Sequence, residues 1–107
     1  EYVTKPDGTR VTKAEEASLV LFGMPYDDIR RYDTGLAGDS RYPARVRIAA
    51  CKPLLSELLD ATEAHIREKG GRNLRYNIEI KASKGKEQRC MAPDYKPFTD
   101  LCMAGIL

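Results

Sequence analysis

Two residues, Glu79 and Lys81, carry the chemistry that this sequence suggests. They lie in "RYNIEIKAS", residues 75–83, where apolar and polar side chains alternate. Tyr76, Ile78 and Ile80 fall on one face of an extended strand, and Asn77, Glu79 and Lys81 on the other. A glutamate offers the oxygen donors that suit a hard cation such as Mg²⁺ or Ca²⁺. A lysine two residues further on stands ~7 Å along a strand, close enough to meet the same bound anion. A cation and an ammonium together would neutralise a phosphate and stabilise the charge that develops as it is hydrolysed. The polar face has two readings on pattern alone. It meets water, as on an antiparallel edge strand, or it faces the inside of a closed barrel near the strand's carboxyl end.

The elements around this strand are read from their caps and periods. "TKPDGTRVT" opens with a Pro6-Asp7-Gly8 turn between short strands at Tyr2-Val3 and Arg10-Val11. Thr12 and Glu15 have capping-box spacing before a short helix. "MPYDDIRRYDTG" places Pro25 and two aspartates at a helix start, with Arg30 and Arg31 at its end. The strongest helical signal is "PLLSELLDATEAHIREKGG", bounded by Pro53 and by Gly70-Gly71. Its stripe runs through Leu54, Leu55, Leu58, Leu59, Thr62, His65 and Ile66. His65 is assigned to packing, and Glu57 to the dipole of the first turn. A final helix is expected from about Pro93 or Asp94, with Phe98, Leu101 and Cys102 inward. Helix, strand, helix is an α/β order. One strand makes no sheet, so the chain either pairs with something else or is part of a larger domain.

Composition narrows the function classes. At 107 residues the chain is sized for one small domain. Eighteen basic against 16 acidic residues lack the imbalance of a nucleic-acid binder, so no nucleic-acid partner is expected. No apolar run approaches the ~20 residues of a membrane span. No signal peptide is expected in these residues. Cys51, Cys90 and Cys102 show no zinc spacing and no disulfide framework, which leaves them as buried thiols.

Four segments in order resemble the glycerophosphodiester phosphodiesterase family: "IRRYDTG" at 29–35, "KPLLSELLDA" at 52–61, "YNIEIKAS" at 76–83 and "APDYKPFTDL" at 92–101. The resemblance implies an α/β chain that is a fragment of a TIM (β/α)₈ barrel. In that reading 1–107 is one partial domain, with residues 1–23 a small N-terminal insert or hairpin region and 24–107 the middle part of the barrel. It implies metal-dependent hydrolysis of glycerophosphodiesters to an alcohol and glycerol 3-phosphate by the full-length enzyme. Glu79 would be a ligand of the divalent metal, Mg²⁺ or Ca²⁺, and Lys81 a phosphate contact. The family's catalytic histidines and its remaining acidic ligands have no counterpart here, so no catalytic residue is expected in this chain and the isolated chain should be inactive. The missing barrel segments would be its partners. A periplasmic or secreted location is the family inclination. The alternatives are a non-enzymatic interaction module, whose strand adds to a partner's sheet edge, and a catalytically dead barrel remnant.

Overall fold

The computed structural model describes residues 2–81 and 92–106. The loop expected at 83–91, with Cys90, lies outside them. The chain divides into two compact units, Glu1–Lys52 and Pro53–Leu107. Its regular elements are helices: α1, Lys13–Glu16; a 3₁₀ turn, Leu21–Gly23; α2, Tyr26–Ile29; α3, Leu55–Glu68; and α4, Tyr95–Ile106. Among the described residues there is no β-strand. The expected α/β class, and with it the fragment of a TIM barrel, is therefore corrected to a helical chain.

The first unit is organised by polar groups. The Pro6-Asp7-Gly8 turn forms as its residue types demand. Gly8 takes φ 84°, a left-handed value that favours glycine, and its N–H donates to Lys5 O at 2.9 Å. Asp7 Oδ1 accepts from Thr9 N at 2.8 Å and from Thr9 Oγ1 at 2.6 Å, an Asx-type closure. The flanks meet in an isolated antiparallel bridge, Thr4 with Arg10, rather than in a pair of strands.

Thr4 also bridges Asp33. Thr4 N donates to Asp33 O at 2.8 Å, and Asp33 N donates to Thr4 O at 2.9 Å. The Asp33 side chain then gathers two more stretches of backbone. Oδ1 accepts from Gly35 N at 2.9 Å and Leu36 N at 2.6 Å, and Oδ2 accepts from Ala50 N at 2.8 Å. Thr34 adds its own N–H to Ala50 O at 2.7 Å. One residue thus ties the N-terminal turn, the 33–36 turn and the chain at Ala50 together.

Helix α1 is capped as its sequence requires. Glu15 Oε2 accepts from Thr12 N at 2.7 Å, and Thr12 Oγ1 accepts from Glu15 N at 3.4 Å. Lys5 Nζ meets the other carboxylate oxygen, Oε1, at 2.8 Å. Among the described residues, the apolar side chains of the first unit that are fully enclosed are Val11 and Ala37, at 3% and 4% exposure.

In the second unit, α3 runs for 14 residues. Pro53 sits just before its N-cap, Leu54, whose N–H donates to Glu57 Oε2 at 2.9 Å. Glu57 therefore satisfies one orphan donor of the first turn as well as suiting the dipole. The far end closes in a Schellman motif. Gly71 N donates to Ile66 O at 2.9 Å and Gly70 N to Arg67 O at 3.1 Å, with Gly70 at φ 65°. Leu55, Leu59, Thr62 and Ile66 form a half-buried stripe at spacings of four, three and four. Leu54, Leu58 and His65, placed on that stripe by the sequence, are exposed. The stripe is narrower than the sequence suggests, and it belongs to the helix that touches α4. Helix α4 shelters Phe98, Thr99, Cys102 and Ile106 in part, while Leu101 is 72% exposed rather than inward. Asp94 opens this helix, its Oδ1 accepting from Lys96 N at 3.3 Å. Cys51 is exposed and Cys102 half-buried, so the expectation of buried thiols fails for Cys51.

The residues expected to form the strand, 74–81, make no bridge to any described segment. A strand needs a neighbour for its N–H and C=O groups and a layer for its apolar face. Leu74, Tyr76 and Ile78 are exposed for want of that layer, and Ile80 is half-buried. The alternation is present in the sequence, but it has nothing to act on.

Two outcomes follow from the caps. Glu15 is held at a pKa of about 2, below its ordinary 4.5, first by the Lys5 hydrogen bond and then by those from the Thr12 N–H and hydroxyl. Its folded pKa lies below its unfolded one, so its contribution is complete above pH 4.5 and is lost as pH falls toward about 2. Thermal unfolding followed across that window should show the midpoint falling, and Glu15→Gln should flatten part of the fall. Gly70→Ala places a Cβ on a left-handed residue and should cost about 1 kcal/mol in denaturant unfolding; an unchanged midpoint would remove the Schellman closure from α3.

Candidate functional site

Glu79 and Lys81 close the described part of the segment that follows α3. Their tips converge: Lys81 Nζ lies 3.6 Å from Glu79 Oε2. Both are strongly solvated, with side chains 75% and 79% exposed. The shared polar face expected from a two-residue period is therefore realised, without the sheet that was to carry it. The apolar side of the segment has one polar anchor. Tyr76 Oη donates to Glu63 Oε1 of α3 at 2.8 Å. That hydrogen bond raises the Tyr76 phenol above its ordinary 10.0, because it favours the protonated form.

The donor set can be tested against a metal. A carboxylate oxygen open to solvent is the donor type that Mg²⁺ accepts, and Mg²⁺ is commonly held by one or two carboxylates, waters and substrate phosphate. Ca²⁺ takes six to eight oxygens, which a single carboxylate does not approach. Among the described residues, no three His, Cys, Asp or Glu side chains are grouped to hold a metal. Glu79 fits as one member of a Mg²⁺ set and not as a site in itself. Lys81, at 3.6 Å, balances the carboxylate's charge and has donors free to turn toward an anion.

The remaining candidates are placed plainly. His65 lies exposed near the C-terminal end of α3, where a cation suits the helix dipole. Asp33, which belongs to one of the motif segments, is a structural carboxylate. The backbone N–H groups of Leu36, Ala50 and Gly35 hold it below the ordinary range. The sequence signal that marks it is Asp-Thr-Gly, a turn residue two places before a glycine. A second carboxylate, Asp39, lies in a loop rich in small polar residues. It is 8% exposed, and the Arg41 guanidinium forks onto it, with Nε 3.1 Å from Oδ1 and Nη2 2.8 Å from Oδ2. Asp-x-Arg in a loop is the pattern that announces such a pair.

Comparison with models of protein families gives no match, and comparison with curated proteins gives none. No helix among the described residues is long and apolar enough to cross a membrane.

Because Glu79 and Lys81 are solvated, their pairing is worth little to the fold. Glu79→Gln and Lys81→Met should each leave the thermal midpoint within about one degree of the parent. A marked drop by calorimetry would assign the pair a structural role.

Proposed function

We propose that this chain contributes to a hydrolase that cleaves glycerophosphodiesters to glycerol 3-phosphate and an alcohol. The observation that carries the reading is the Glu79–Lys81 pair: a carboxylate and an ammonium 3.6 Å apart, both facing solvent. The four ordered motif segments support it from the sequence.

Each residue has a task in that chemistry. Glu79 is one carboxylate ligand of a divalent cation, with Mg²⁺ the better match to a single carboxylate. The bound cation supplies Lewis-acid polarisation of the phosphate. Lys81 places its ammonium against a non-bridging phosphate oxygen and offsets the charge that grows there as the P–O bond to the alcohol breaks. Attack by water and protonation of the leaving alcohol need a general base and a general acid, both assigned to groups outside the described residues. The pair's exposure suits this division of labour, since a metal and a diester must reach it from solvent.

A second reading rests on a separate observation. Leu74, Tyr76 and Ile78 are exposed on a segment without a bridge, the feature expected if the chain is an interaction module rather than part of an enzyme.

Activity separates the two. In the intact protein, release of glycerol 3-phosphate from glycerophosphocholine should stop when divalent metal is chelated and return with Mg²⁺. Glu79→Gln and Lys81→Met should each lower kcat/KM by about 10²-fold or more, with the fold intact. Wild-type turnover in both variants would sink the hydrolase reading.

A further inference from the structure

The first unit holds a cleft of about 500 Å³, lined in part by Tyr2, Arg10, Asp39, Tyr42, Arg45 and Arg47. Its electrostatics are unusual. Three guanidinium groups face one carboxylate, and that carboxylate is already committed. Asp39 is enclosed, and Arg41 holds it in a fork. Arg41 in turn lies over two rings, 5.1 Å from the centroid of Tyr2 and 5.8 Å from that of Tyr42. Asp39 is thus part of the wall, with its charge answered by Arg41. Among the described residues, Arg10, Arg45 and Arg47 have no carboxylate partner within salt-bridge distance.

One of them, Arg47, lays its guanidinium beside Gly38, where a Cβ would stand 2.8 Å from Arg47 Cζ. As the end of a flexible side chain, that guanidinium is free to swing toward a ligand. Guanidinium forks match the geometry of phosphate oxygens and bind them in pairs. A phosphate monoester carries about −1.5 to −2 charges at neutral pH, which suits the surplus of positive charge here. The cleft is larger than a phosphate group alone needs, and Tyr2 and Tyr42 offer ring faces for an organic remainder.

We infer that the cleft bounded by Arg10, Arg45 and Arg47 binds a phosphate monoester dianion. This site lies in the first unit and is independent of the hydrolase reading of Glu79 and Lys81. The charges in the cleft supply the attraction.

The test is a calorimetric titration of the intact protein at low salt with phenyl phosphate, beside co-sedimentation with phosphatidylcholine vesicles containing phosphatidic acid. Saturable binding of phenyl phosphate identifies a soluble ester. Binding confined to the vesicles identifies the same headgroup on a lipid, and both outcomes support the site. Arg10→Gln, Arg45→Gln and Arg47→Gln should each weaken binding by about tenfold or more. Arg31→Gln, which removes a cation placed near Asp28 and outside the cleft, should leave it unchanged. Circular dichroism confirms that each variant keeps its helices. The inference is overturned if neither probe binds. It is also overturned if Arg31→Gln weakens binding as much as Arg47→Gln does, since binding would then follow net charge alone.

Discussion

The first unit depends on the carboxylate of Asp33. Its own peptide group pairs with Thr4 in both directions, and its side chain accepts from Gly35, Leu36 and Ala50. These contacts join stretches of chain up to 46 residues apart by Thr4 and Ala50 numbering, where few apolar side chains are available to do so. Backbone N–H groups outside regular structure need acceptors, and the two oxygens of one aspartate serve three of them. The Thr12–Glu15 cap and the Asp39–Arg41 fork follow the same logic on either side of it. Polar closure therefore sets the path of the chain, and apolar packing fills in behind it.

What was legible in the sequence was local. Pro6-Asp7-Gly8, Thr12-x-x-Glu15 and Gly70-Gly71 each specify a hydrogen-bond pattern within a few residues, and each pattern is present. The long helix was legible for the same reason, since its caps and its 3.6-residue period lie in one stretch. What failed was non-local. The alternation in 76–80 states which side chains share a face, but a strand exists only through a partner, and the sequence of one strand does not contain its neighbour. The inward assignments of Leu58, His65 and Leu101 failed similarly. A helical stripe shows what is available for burial, and the number of neighbours decides how much of it is used.

The two charged sites show the same contrast. Glu79 and Lys81 lie close together because their two-residue spacing is a local rule that survives without a sheet. The arginine cleft is not legible in the sequence, because it brings Arg10 beside residues 38–47, far along the chain. In sequence those arginines are balanced in number by acids elsewhere. Their separation from those acids is a property of the fold.

The scarcity of enclosed apolar side chains has a thermodynamic consequence. The heat-capacity change of unfolding scales with apolar surface newly exposed to water, ordinarily about 12–15 cal/mol/K per residue. In a unit where Val11 and Ala37 are the enclosed apolar residues described, and where Leu21, Phe22 and Leu36 already meet solvent, that increment is small. Its stability curve is correspondingly shallow, with little curvature toward cold denaturation and a weak dependence on denaturant concentration. The enthalpy of its hydrogen bonds, rather than the hydration of a core, then governs how it responds to temperature.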